Sequence, residues 1–207
     1  MLTQQELTEI YKKFDDVKLI NLAKFESKKL TETAIPVLKN EISTRNLDKN
    51  LIDWISLERN FYKGSELRIL KAKIKKSKCS NCKILKDDIK GFYIHNCSLT
   101  HDPKEANLIF CEKCGKKIRK KNYIISATFG WISTKGIIKV PFYFLGEIID
   151  SLFRKKQSEK IINDFIFENT GLIRMNGIEN ISKIVEVHNE NQLGVKRTDE
   201  EYFFEFI

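Results

Sequence analysis

Proline occurs only three times and glycine nine times in 207 residues. So few chain breakers exclude collagen-like, proline-rich and glycine-rich low-complexity architectures. Histidine is equally scarce, with three, at positions 95, 101 and 188. Neither H-E-x-x-H nor G-x-S-x-G occurs, and there is no phosphate-cradling glycine loop and no kinase or nuclease signature. The acidic pairs Asp15-Asp16 and Asp87-Asp88 are neighbours in sequence. Neighbours point apart on a helix or strand, so each pair reads as a solvated turn rather than an acid–base dyad. With these motifs missing, a non-enzymatic role is expected.

Long apolar runs are also missing. The most apolar stretch, residues 123–149, is interrupted by Lys135, Lys139, Pro141 and three glycines. A membrane-spanning helix needs about 20 residues almost free of charge, so this stretch does not qualify. The first residues lack the basic start and apolar core of a secretion signal, and a cytoplasmic location is the expectation. What the chain does contain, 42% hydrophobic and 31% charged residues, suits a folded protein with its own core.

The net charge of +9 is unevenly placed. Residues 1–60 balance 10 basic against 10 acidic side chains, 61–122 carry 17 against 6, and 123–207 carry 10 against 12. The whole excess sits in the middle segment, a pattern that points to an anionic partner. Only seven of the basic residues are arginine against 30 lysines. Lysine contacts phosphate as a point charge, whereas arginine is favoured for reading base edges, so charge recognition is expected over sequence reading.

That same segment holds the cysteines. An odd total of five argues against a disulfide framework. Four of them form two C-x-x-C pairs, Cys79/Cys82 and Cys111/Cys114, separated by 28 residues. Each such turn can aim two sulfurs at one ion, and two turns supply four thiolates in a tetrahedron, a donor set that suits zinc. The same thiolates could carry an iron–sulfur cluster. Gly115, straight after the second pair, is expected to take a positive φ, and Lys83 makes the first turn the less typical one. Neither pair reads as a strand-to-helix junction, so no thioredoxin-like redox role is expected.

The segment from Cys79 to Cys114 resembles a zinc ribbon, with two knuckles joined by a β-arm, "GFYIHNCSLTHDPKEANLIF". By that resemblance the four cysteines are ligands of a structural Zn(2+), in a closed shell with no position open for catalysis. Cys97, His95 and His101 lie in the arm, and any of them could replace a cysteine. The stretch "LTETAIPVLKNEISTRNL" is similar to a short helical motif of bacterial proteins and implies a docking helix and no chemistry, and the "GW" at 130–131 is similar to segments that follow zinc ribbons in bacterial proteins and implies no activity.

Around the knuckles lie Lys75, Lys76, Lys78, Lys116, Lys117, Arg119, Lys120 and Lys121, the candidate polyanion-binding set. Lys90, Phe92 and Tyr93 of the arm add the mixture of cations and aromatics that tracks phosphates and stacks on bases. Strand geometry lets only one of Phe92 and Tyr93 point outward, so packing within the arm is expected for the other. Nucleic acid is the favoured partner. Two alternatives stand beside it. One is a protein–protein module, an inhibitor or assembly factor, docking through the aromatics of 129–144, with Phe129, Trp131 and Phe142 as contacts. The other is a peripheral membrane protein using that apolar stretch beside the lysines.

The expected fold is α+β: a helical N-terminal part over 1–63, a basic zinc-ribbon module over 64–122 and a mixed α/β C-terminal part over 123–207. Thr3-x-x-Glu6 reads as a capping box, Thr31 or Thr33 as the cap of a helix with Pro36 in its first turn, and Gly64 as a break. Residues 123–129 and 136–142 read as strands. Residues 143–153 and 157–168 read as helices parted by "RKKQ", with Gly171 as a C-cap. "KIVEV" and "YFFEFI" read as strands or docking segments.

Overall fold

Thr3 opens the first helix as its spacing to Glu6 predicts. In the computed structural model, which describes residues 2–96, 104–129 and 153–194, the Thr3 hydroxyl accepts the Glu6 N–H. The Glu6 carboxylate in turn accepts the Thr3 N–H at 2.7 Å. Helix α1 runs over Gln4–Lys12. Asp15 caps α2, Asp16–Asn21, by accepting the Lys18 N–H at 2.7 Å. The chain then passes through a π turn, Leu22–Glu26, and a 3-10 turn, Ser27–Lys29. Helix α3 is Ala34–Thr44 and α4 is Asn50–Arg59. Neither Thr31 nor Thr33 caps α3 with its side chain; the Thr31 carbonyl takes the first N–H groups instead.

The contacts divide the chain into two compact units. The first comprises Met1–Tyr62 together with Asn169–Asn176, which contains helix α8, Thr170–Asn176. Its core is built from Leu7, Tyr11, Leu19, Leu38, Ile42, Leu51 and Ile55, one apolar stripe from each of α1 to α4. Arg45 donates to the Tyr11, Lys12 and Phe14 carbonyls at and just beyond the end of α1. Glu58 is buried against the Lys28 ammonium at 2.7 Å. Gly171 lies under the Glu58 carboxylate, where a Cβ would stand 2.4 Å from Oε1. Gly171 is therefore no C-cap: it sits inside α8 because only a bare Cα fits there.

The second unit begins at Lys63 and omits only the excursion through Asn169–Asn176. Gly64 adopts φ +54° and separates α4 from α5, Gly64–Lys75. Strands β1, Ile89–Asn96, and β2, Lys104–Cys111, pair antiparallel with Ile89 opposite Cys111. Three helices follow: α6, Glu112–Phe129; α7, spanning 153–168; and α9, Ile181–Gln192. The core gathers Leu70, Ile74, Ile89, Leu108, Ile109, Ile162, Phe165 and Ile184, all fully buried.

Both free edges of the hairpin are covered by helix side chains. The Gly91 N–H on β1 donates to Ser158 of α7 at 2.9 Å. On β2, the Asn107 N–H donates to Gln192 at 3.1 Å, and His188 Nε2 lies 3.0 Å from the Asn107 carbonyl. Asn189 acts as a surrogate strand: its Oδ1 accepts the Ile109 N–H and its Nδ2 donates to the Ile109 carbonyl, each at 2.8 Å. An exposed edge that would otherwise template pairing with another chain is thereby closed.

Several segments differ from expectation. Residues 123–129 belong to α6, which starts at Glu112 and carries on through them, since adding a residue to a formed helix costs little. "RKKQ" lies within α7. "KIVEV" is part of α9: its β-branched residues suggest a strand, but Ile181, Ile184, Val185, His188 and Asn189 are buried at helical spacing. The expected strand 136–142 and the "YFFEFI" segment lie outside the described residues. Among the described residues, no helix is long and apolar enough to cross a membrane.

Candidate metal centre and adjoining groove

The first knuckle is a tight turn after α5. The Cys79 N–H donates to the Ile84 carbonyl at 3.0 Å and the Lys83 N–H to the Cys79 carbonyl at 2.8 Å. It is Lys83 that takes the positive φ, +59°, whereas Gly115 does not. The turn is strapped to α9 by Asn189 to Ser80 at 2.7 Å, by the Lys78 N–H to Ser182 and by Lys83 to Glu186.

The second knuckle has a different construction. Cys111 ends β2, and Cys114 sits in the first turn of α6. The pair thus occupies a strand-to-helix junction, contrary to the sequence expectation. Asp88 accepts the Glu112 N–H at 3.2 Å and so caps the helix. Gly115 is required by close approach: a Cβ there would lie 2.2 Å from the Phe92 ring.

The hairpin brings the two knuckles together. The four sulfurs, all as free thiols, lie within 4.8 Å of one another, with Cys82 and Cys111 at 3.9 Å. Ligands about 2.3 Å from a tetrahedral ion would stand about 3.8 Å apart, so the cage is close to the size a metal ion needs. Cys79, Cys111 and Cys114 are buried, and Cys82 is half-buried. The Cys111 N–H points to Cys79 Sγ at 3.4 Å, and Asn81 Nδ2 points to Cys114 Sγ at 3.2 Å, the orienting contacts that support thiolate ligands.

The electrostatics of the cage favour a cation. Burial works against ionising Cys79, but the N–H groups of Cys111, Cys82 and Asn81 outweigh it and bring the thiol down to about 7. Burial, with the Cys114 and Cys79 sulfurs alongside, pushes the Cys111 thiol up to about 12. The pair titrates together: one negative charge is welcome and the next is resisted. A positive ion at the centre removes that resistance. Among the described residues this is the group of His, Cys, Asp and Glu side chains arranged to take a metal ion. The His95 side chain, Cys97 and His101 lie outside the described residues.

Beside the cage a groove of about 680 Å³ runs between β1, α6 and α7. Lys116, Arg119, Lys120 and Tyr123 line it from α6, since these positions share one helical face. Lys90, Phe92 and Tyr93 enter from β1, Lys75 from α5, and Arg154 and Lys155 from α7. Three of the four carboxylates that line the groove, Glu112, Glu159 and Asp88, are engaged locally. Lys116 and Lys90 hold Glu112 down to about 2, at 2.5 and 2.7 Å. Glu159 is lowered by its contact with Lys75, and Asp88 caps α6.

Of the eight basic candidates, Lys75, Lys116, Arg119 and Lys120 line the groove. Lys117 and Lys121 fall about 100° round the helix from it. These two, with Lys76 and Lys78, are exposed away from the groove. Arg154 and Lys155 were not anticipated, because nothing in the sequence relates α7 to the knuckles, and Tyr123 was not, because 123–129 read as a strand rather than as the continuation of α6. Phe129 ends α6 with its side chain outside the described residues, as are Trp131 and Phe142. No protein-family model, curated protein or solved structure matches the chain at a significant level.

Proposed function

We propose that the chain is a non-enzymatic binding protein, stabilised by a structural zinc ion, whose cationic groove receives an anionic partner, nucleic acid foremost. One observation carries the reading: the groove is built on the two elements that meet at the cysteine cage. Helix α6 begins at the second knuckle and supplies Lys116, Arg119 and Lys120 to the groove wall. The hairpin that joins the knuckles supplies Lys90, Phe92 and Tyr93. A metal that fixes the knuckles therefore fixes the relative placement of those cations.

Cys79, Cys82, Cys111 and Cys114 would hold the ion. Four thiolates favour zinc over harder cations, and a closed shell leaves no position for activating water. The ion would supply folding energy, since a two-stranded hairpin is marginal by itself. Recognition would rest on lysine-rich charge with aromatic stacking, which suits tolerant binding of phosphates rather than base-edge reading.

The test is a fluorescence titration of zinc-loaded protein against labelled DNA and RNA at two salt concentrations, with the Lys116→Glu/Lys120→Glu variant beside the parent. Affinity that falls steeply with salt and is lost in the variant, with metal content unchanged, is the expected result. Affinity equal in the variant and the parent would remove the groove from the account.

A further inference from the structure

The groove leaves Lys76, Lys78, Lys117 and Lys121 outside it. The first two lead into the first knuckle, which also shows solvent two adjoining aliphatic residues, Ile84 and Leu85, 56% and 67% exposed. One apolar side chain on a surface is ordinary. Neighbours on extended backbone point to opposite faces, so one of them normally packs inward. Here neither does. The segment is also firmly held. Lys78 and Leu85 pair as an antiparallel bridge, the Lys86 N–H donates to the Ser77 carbonyl at 3.1 Å, and the Ile84 carbonyl accepts the Cys79 N–H at 3.0 Å. The cage thus carries a short, backbone-bonded hairpin that keeps apolar side chains in water.

Lysines stand around it. Lys76 and Lys78 are exposed on its entering side. The Asn81 amide reaches Cys114 Sγ at 3.2 Å, which sets the knuckle against the first turn of α6, where Lys113 and Lys117 are exposed. None of these four lysines has a carboxylate partner among the described residues, whereas Lys83 is held by Glu186.

Three kinds of surface complement cations. Nucleic acid would pair with the lysines and leave in water two aliphatic chains that have no ring to stack on a base. A stable protein complex buries about 800 Å² on each partner in shape-complementary contact, and a pair of side chains supplies a small part of that. A bilayer needs no matching shape: aliphatic chains enter the boundary between headgroups and acyl chains, and lysines stay level with the anionic headgroups.

We infer that the first knuckle is a contact point for an anionic bilayer, with Ile84 and Leu85 entering its interface and Lys76, Lys78, Lys113 and Lys117 on its headgroups. This contact is separate from the groove and does not depend on what the groove binds. Burying one such partly exposed aliphatic side chain is worth about 5- to 20-fold in affinity, and one lysine near the surface about 5-fold at low salt.

The experiment sediments the full zinc-loaded chain with vesicles of phosphatidylcholine alone and of phosphatidylcholine with phosphatidylserine, at two salt concentrations. The variants are Ile84→Ser/Leu85→Ser, which keeps every charge and opens no core, and Lys76→Gln/Lys78→Gln. Zinc content and oligonucleotide affinity are measured on each. The expected result is pelleting with the phosphatidylserine vesicles that weakens with salt, and none with phosphatidylcholine alone. Each double variant should bind those vesicles about 25-fold more weakly or worse, and the serine variant should keep its zinc and its oligonucleotide affinity. A serine variant that pellets like the parent would reduce the contact to charge and overturn insertion. One that loses oligonucleotide affinity instead would assign the knuckle to a nucleic-acid surface. No pelleting at low salt would overturn the inference, whatever the groove binds, and leave an acidic protein as the occupant.

Discussion

Gly115 ties the metal cage to the groove, and replacing it with alanine tests that tie. The added Cβ would stand 2.2–2.4 Å from three carbons of the Phe92 ring, where carbon contacts normally settle at about 3.5–4.0 Å. The ring or the first turn of α6 must then move by more than an ångström. Phe92 is set on a strand whose other edge is fixed by Ser158, and α6 starts at a cysteine of the cage, so neither moves freely. Overpacking of this kind costs about 1–3 kcal/mol. Against it stands the gain in helix propensity from Gly to Ala, at most about 1 kcal/mol. Gly115→Ala should therefore lose about 1–2 kcal/mol in urea unfolding of the zinc-loaded protein. In a Phe92→Ala background the clash is gone and only the propensity gain remains, so the same substitution should become neutral or stabilising. A double-mutant cycle reads the difference as coupling. If Gly115→Ala stabilises the parent protein, the packing of Phe92 on α6, and with it the link between cage and groove, is wrong.

Other expectations follow from the same contacts. Asn189→Leu leaves both Ile109 backbone groups and Ser80 without their partner and should cost about 2–6 kcal/mol in urea unfolding. Glu58→Ala removes the buried carboxylate that pairs with the half-buried Lys28 ammonium and should lower the midpoint of thermal denaturation. Replacing both residues with apolar ones should cost far less. His188 is depressed by burial, partly offset by its contact with the Asn107 carbonyl. The unfolded chain protonates its histidine near about 6.5, above the folded value. The histidine's contribution is complete above that pH and is lost as pH falls through the folded value. Stability curves at pH 7 and pH 5 should thus differ more for the parent than for His188→Gln, and equal differences would contradict the assignment.

How much was legible in the sequence depended on whether the determinant was local. Thr3 and Glu6 are three residues apart and make their capping box whatever follows. The two C-x-x-C pairs carry their chemistry in their spacing, and the arm between them folds as a hairpin because its length and pattern leave little else. The positive φ was placed on the wrong residue, because Gly115 has a packing reason that depends on Phe92, distant in sequence. Asn189 was invisible for the same reason: an asparagine in a helix carries no sign that it will serve a strand edge. β-branched Ile184, Val185 and Val187 resembled a strand until their burial fell at helical spacing. The groove needed Arg154 and Lys155, and only the packing of α7 on β1, through Gly91 and Ile161, brings them beside the lysines near the cage.

The central claim is that a metal held by four cysteines builds the groove that receives an anionic partner, nucleic acid foremost. The most direct measurement pairs metal content with affinity: zinc per chain and binding of labelled oligo-dT, before and after removal of the metal by a chelator. The account predicts one zinc per chain, salt-steep binding while it is present, and loss of both together on chelation. A protein that carries no zinc, or that binds the strand equally well without it, would contradict the account.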